Sequence, residues 1–587
     1  MHTFRVWAPA AGSVEVDVGG HRHAMSPESG EPGPGEGWWS CRVTGAGPGT
    51  EYNFALDGGG PLPDPRSPSQ PRGVEGPSRV VDHSAFAWTD SAWRGIHLPS
   101  AVIYECHVGT FSPEGTFAGV VARLDHLVSV GVDALELMPV AEFSGDRGWG
   151  YDGADLYAPH HAYGGPEGLA ALVDACHARG IAVVMDVVYN HLGPAGNYLA
   201  AFGPYFTDRY STPWGTAVNF DGPGSDEVRE FFVDNALIWL RDYHCDGLRL
   251  DAVHAIFDMS ATHICEELGL RVDELAKALG RSLFVIAESD LNDPRLVRPR
   301  EVGGYGLDAQ WSDDFHHALF ALLTGESGGY YADFGRMADL ARALRRGYAY
   351  DGRWSKYRGR THGRELGSVS GSRLVGYLED HDQVGNRALG ERTVALMGED
   401  RAAVGIGLVL CGPFVPMLFQ GQEWGALTPF LYFTDHADAA LGAAVSEGRK
   451  GEFAQFGWDP SQIPDPQAPS SFEASKLDWS QASSPAGERM AEWVRCLVRL
   501  RRDWAELSDG RLDRVRVSFD EEAGWLRMER GRVSVVANLG SWGVTVACGA
   551  PAGTAWRLLA RSRDSVELDG SRVALPANSL AVVVREG

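Results

Sequence analysis

The stretch Gly247-Leu248-Arg249-Leu250-Asp251-Ala252-Val253-His254 decides the fold. Its apolar residues alternate with an arginine and then an aspartate, and it ends on polar groups. In an extended strand residues i and i+2 face the same side, so Arg249 and Asp251 point together. A guanidinium beside a carboxylate keeps it ionised. A buried strand carrying such a pair at its C-terminal end is what a parallel barrel uses to build a site.

Seven further apolar runs match it on either side: 102–108, 134–140, 181–188, 283–287, 307–311, 374–378 and 415–419. Between them lie segments with apolar residues at helical spacing, such as 117–130 and 168–179. Runs that read as continuously apolar and alternate with helices indicate a parallel sheet covered on both faces. Eight such units make a (β/α)₈ barrel, an α/β fold class. The stretch 402–419 approaches the ~20 residues of a membrane span, but Pro413 and Pro416 interrupt it, so a buried helix followed by a strand is expected. An insert at about 192–224, rich in Gly, Pro and aromatic residues, follows the third strand and is expected to shape a binding site.

Before the barrel, Phe4, Val6, Val14, Val16 and Val18 alternate with other residues, as β strands do, and Gly19-Gly20 and Gly33-Pro34-Gly35 mark turns. This predicts an N-terminal β-sandwich over 1–98. The barrel then runs over 99–490. A helix with Trp493, Leu497, Leu500 and Trp504 on one face opens a segment over 491–587 that ends in a small β domain. Arg495, Arg499, Arg501 and Arg502 on that helix are expected to form a solvated face.

The chain has 587 residues, 44% hydrophobic and 22% charged, which suits a multi-domain globular protein. Its net charge of −26 argues against a nucleic-acid partner. Eight scattered cysteines without a CxxC pair fit reduced thiols and a cytoplasmic location, and the N-terminus lacks the pattern of a signal peptide.

Four strand ends carry polar groups: Asp186 with Asn190-His191, Asp251 with His254, Glu288, and Glu379-Asp380-His381-Asp382. One aspartate after a strand is often only a helix cap, but four such endings on one barrel face exceed what capping needs. Carboxyl groups on neighbouring strands suit the ~5 Å separation of a retaining glycosidase. Glu288 has no cationic neighbour in sequence, so desolvation is expected to hold it protonated.

The segments DVVYNH, GLRLDAVH, AES and EDHD resemble the four signature regions of the α-amylase family, glycoside hydrolase family 13. The resemblance implies Asp251 as nucleophile, Glu288 as acid/base and Asp382 as transition-state partner. It also implies supporting roles for Asp186, Arg249, His191 and His381, while the strand-end positions of His191, His254 and His381 lead us to expect hydrogen bonds from them to sugar hydroxyls. Tyr151 and Asp152 match a stacking tyrosine and its neighbour. Asp380 departs from the family's usual asparagine. Asn190 matches a position that holds calcium in some members, yet the insert offers no oxygen-ligand set at calcium spacing, so no metal and no cofactor is expected.

FRVWAPAAGSVEV resembles the immunoglobulin-like sandwich that precedes the barrel in isoamylases, branching enzymes and the trehalose-releasing branch of that family, and PDPRSPSQPRGVEGPSRVVD, YECHVGTFSPEGTF, QWSDDFHHALF and GQEWGALTPFLYFTDH resemble the trehalose-releasing branch. This implies hydrolysis of the α-1,4 bond beside the terminal trehalose of a maltooligosyltrehalose, and a synthase of that oligosaccharide as metabolic partner. Asp313, Asp314, His316, His317 and Arg387 are the candidates for the trehalose end. The alternatives are a glycogen branching or debranching enzyme of the same family and an inactive barrel that binds glycans.

Overall fold

In the computed structural model, residues 1–28, 35–454, 460–549 and 555–586 are described, so the Gly33-Pro34 turn lies outside them. Eight parallel strands close into a barrel: Ile103–Cys106, Ala134–Leu137, Ala182–Val187, Gly247–Leu250, Phe284–Ala287, Ala309–Trp311, Leu374–Gly376 and Val415–Phe419. Each falls within an apolar run of the sequence. Their side chains are buried inside the barrel and beneath the helices, which is why the runs read as continuous rather than alternating. Ile103, Val184, Ile286, Trp311, Val375 and Met417 fill the barrel interior.

The expected helix over 117–130 is two pieces, Phe117–Val121 and Leu124–Val130, and the next helix spans Gly165–His177. The region after the third strand is more ordered than its composition suggests. It holds a hairpin of Phe206–Thr212 with Gly215–Val218. Helix Glu399–Leu410 is buried and leads into the eighth strand. Among the described residues no helix is long and apolar enough to cross a membrane.

Two sheets precede the barrel. One pairs His2–Trp7 with Trp38–Val43, and the other centres on Val14–Val18 and Glu51–Leu56. Phe4, Val16 and Phe54 are buried between them, matching the alternation that marked them. Five- and three-stranded antiparallel sheets close the chain.

Helix Pro485–Asp503 buries Trp493, Leu497 and Leu500 as its spacing predicts, but its arginines do not all face solvent. Arg501 is only 2% exposed and donates to the carbonyls of Leu410, Gly412, Leu507 and Phe414. Arg530, from the C-terminal sheet, donates to the carbonyls of Cys411, Gly412, Leu507 and Asp509. The unsatisfied carbonyl end of helix Glu399–Leu410 carries partial negative charge, so two guanidinium groups dock there without any carboxylate. Burial lowers Arg501 to about 10 and Arg530 to about 9.

Candidate active site

The polar strand ends converge at the C-terminal mouth of the barrel. Arg249, fully buried on the fourth strand, is the hub. Its Nη1 donates to Asp186 at 2.9 Å and to Asp251 Oδ1 at 2.7 Å. The second Asp251 oxygen accepts from Asn190 Nδ2 at 2.8 Å. Asp251 is thus gripped and oriented from both sides. Its grip by Asn190 is a contact that sequence reading did not anticipate.

Glu288 follows the adjacent fifth strand in parallel register with the fourth. The expectation that it lacks a cationic neighbour does not hold in space, because Arg249 Nη2 lies 3.5 Å from Glu288 Oε2. Burial nonetheless pushes Glu288 well above the usual carboxyl range; Arg249 works against this, while Asp251, Asp313 and Asp382 add to it. One Glu288 oxygen accepts the Ala252 N–H at 2.5 Å. Ala252 sits at φ 38°, ψ 50°, a left-handed conformation unusual for a residue with a side chain. That geometry turns its N–H towards the neighbouring strand.

Asp382 lies on the short helix His381–Gly385, its side chain 42% exposed and held by Asn386 Nδ2 at 3.0 Å. Asp380 caps that helix by accepting the Gln383 N–H at 2.6 Å. Burial, with Glu105 nearby, pushes Asp380 upward, towards the neutral form that an asparagine has permanently. His381 donates from Nδ1 to buried Glu105 at 2.5 Å, and its Nε2 lies 3.6 Å from Asp382. Burial opposes its charge, but Glu105 and Asp382 outweigh it and raise its pKa to about 10. Glu105, on the first strand, was not singled out by sequence; only the closed barrel brings it beneath the seventh strand end.

Tyr151 donates to Asp186 at 2.6 Å and stacks on His381 with ring centres 4.9 Å apart. Gly150 precedes it at φ 97°, and a Cβ there would meet the Pro139 carbonyl oxygen at 2.2 Å, so the turn that presents Tyr151 requires glycine. Asp152 lies 3.7 Å from His436. His191 is less free than a sugar ligand would need. Its Nε2 donates to the Tyr151 carbonyl at 2.9 Å, and its Nδ1 contacts Asn190. Its ring stacks on Trp214, an insert residue 49% exposed at the mouth and invisible as a site residue from sequence. His254 is half-buried, with its Nδ1 buried and without a hydrogen-bond partner.

The four candidates after the sixth strand separate. Asp313 accepts from Tyr377 at 2.5 Å, and burial, with Asp290, Asp314 and Asp382 nearby, pushes it up to about 7. Asp314 instead accepts the Ala349 and Tyr350 amides and Asn292 Nδ2, which makes it a loop anchor. His316 is fully buried against Phe320 and Tyr377, out of reach of a ligand. His317 is 8% exposed and stacks on Tyr330. Asp314 and His316 are therefore corrected to structural parts. Sequence could not separate them, because the four polar positions, two on either side of Phe315 at a helix start, point in different directions. Arg387 pairs with Glu326 at 3.0 Å and Glu391 at 3.3 Å, so its charge is already matched.

A closed parallel barrel with an arginine-paired aspartate, a mostly buried glutamic acid and a partly exposed aspartate at its strand ends is the layout of the α-amylase class of glycoside hydrolases. Residues 77–204 match the alpha amylase catalytic domain, and 510–582 match a domain of unknown function, DUF3459. A malto-oligosyltrehalose trehalohydrolase of Rhizobium sp. (strain M-11) is 48% identical over 99% of this chain and 97% of its own. Another, from Arthrobacter ramosus, is 52% identical over 92% of this chain and 94% of its own. A crystal structure of a putative alpha amylase from Salmonella typhimurium is 38% identical, covers 99% of this chain and 97% of its own, and superposes with a TM-score of 0.89. The chain belongs to the malto-oligosyltrehalose trehalohydrolase family.

Proposed function

We propose that the chain hydrolyses the α-1,4-glucosidic bond next to the terminal trehalose of a maltooligosyltrehalose, with retention, and releases trehalose. The observation that carries this reading is the contrast between two neighbouring carboxyls: Asp251 gripped by Arg249 and Asn190, and Glu288 held neutral by burial. Asp251 attacks the anomeric carbon as Glu288 protonates the departing oxygen. Water, deprotonated by Glu288, then opens the glycosyl–Asp251 ester, and Glu288 regains its proton. Asp382, open to the cleft beside charged His381, binds the hydroxyls of the distorted ring. Tyr151 presents an aromatic face to the sugar. Asp152 and Trp214 border the same mouth, and Asp313 and His317 are the residues of the sixth-strand group assigned to the leaving side.

A cytoplasmic location belongs to this reading, supported by eight free cysteines. So does a synthase that supplies the substrate. Incubation with maltooligosyltrehalose and sugar analysis is expected to show trehalose and a shortened maltooligosaccharide. Branched amylose without trehalose would instead favour a branching enzyme.

The pH profile offers a second test. The acid must be protonated, so activity falls as pH rises through the Glu288 pKa. Above about 7, ionised Asp313 adds negative charge near Glu288 and raises that pKa. Asp313→Asn removes the charge, and the alkaline limb of kcat/KM is expected to move to lower pH. An unmoved or upward-shifted limb refutes the coupling.

A further inference from the structure

Away from the barrel mouth, the strand pair of Ala141–Glu142 with Asp155–Pro159 forms the root of the loop that carries Tyr151. Three side chains meet at this root. Glu142 Oε1 lies 3.1 Å from His160 Nδ1 and 2.6 Å from His161 Nδ1, and Glu142 Oε2 accepts the His161 N–H at 2.8 Å. The ligand atoms of the three residues all lie within 4.8 Å of one another. Glu142 and His160 have fully buried side chains, while His161 is 27% exposed.

The far side of His161 is also engaged. Its Nε2 lies 3.2 Å from Asp146 Oδ1, so the ring stands between two carboxylates. A neutral imidazole has one N–H, and one of its lone pairs would then face a carboxylate oxygen. A second proton on the ring satisfies both contacts, and so does a metal ion on Nδ1 with Asp146 accepting the Nε2 proton. A carboxylate on the outer nitrogen of a histidine is the arrangement that orients metal-binding imidazoles.

We propose that Glu142, His160 and His161 form a binding site for a divalent ion of zinc type, with Asp146 orienting His161. Two imidazole nitrogens and one carboxylate oxygen are a donor set that zinc accepts, at about 2.0–2.2 Å each with water completing a tetrahedron. Those bond lengths need roughly 3.3 Å between donors, so the 2.6 Å pair must open by under ~1 Å as the ion replaces the proton. His161 lines a cavity of about 760 Å³ between the N-terminal sheets and the barrel, which gives the ion its path. Glu142 and His160 supply the fixed half; His160 is stacked on Phe143 with ring centres 3.8 Å apart. The ion takes no part in hydrolysis. It ties the two ends of the Tyr151 loop together.

Isothermal titration of the full chain with zinc chloride tests this, with His161→Gln as the surface variant and Glu142→Gln as the buried one. Wild type is expected to bind one equivalent, and each variant that keeps the wild-type fold should weaken binding by at least about tenfold. Diffraction at the zinc edge should place one anomalous peak among the three side chains. No binding up to 1 mM zinc, unchanged affinity in His161→Gln, or a peak elsewhere overturns the site. Because His161 is partly exposed, a misfolded Glu142→Gln leaves the test intact.

Discussion

Glu288→Gln is expected to lower turnover of maltooligosyltrehalose by about 10³-fold or more while leaving substrate binding within a few fold. Glutamine keeps the size of the side chain and an oxygen to accept the Ala252 N–H, so the local packing of the site survives. What disappears is the proton that burial stores on Glu288. A departing sugar alkoxide is a poor leaving group and needs that proton. Fluoride does not, so an α-maltosyl fluoride should suffer much less in the glycosylation step than the natural glycoside. The comparison separates loss of acid catalysis from general damage. Turnover within tenfold of wild type, or equal losses on both substrates in that step, would remove Glu288 from the role.

The second large effect is expected from Asp251→Ala, with a loss of about 10⁴-fold or more, because no covalent intermediate can form. Azide can occupy the space the carboxylate leaves. Its nitrogen attacks the anomeric carbon as the glycosidic bond breaks and Glu288 protonates the leaving oxygen. One displacement inverts the centre, so the product is a β-glycosyl azide. Chromatography and NMR of the product read this directly. An α-azide, or wild-type rates without azide, would sink the nucleophile assignment. The variant also leaves Arg249 with one of its two hydrogen-bonded aspartates, so its melting temperature should be compared with that of wild type.

How far such a site is legible in sequence depends on the kind of contact. The barrel was readable because a strand buried on both faces has no choice but to be apolar, and 247–254 states its polar end openly. Arg249 and Asp251 were readable as a pair because alternation along one strand fixes their common side. The hairpin within the insert was not, since Phe206–Thr212 is mostly half-buried or exposed and shows no apolar face. Glu105 under His381, Asn190 on Asp251 and Trp214 on His191 join chain segments by closure of the barrel or folding of the insert. No local pattern encodes them. Arg501 looked like its neighbours on a charged helix, and only its position against the open end of another helix separates it from Arg495 and Arg499.

Ala252 carries a consequence for anyone who would make this protein hardier. A residue with a side chain held at φ 38° sits roughly 1–2 kcal/mol above its relaxed conformation, and glycine would release most of that strain. Glycine would also loosen the one peptide whose N–H fixes Glu288. Heat tolerance and rate would then be bargained against each other at a single alanine, and selection for a higher melting temperature alone would drift towards a sturdier, slower protein.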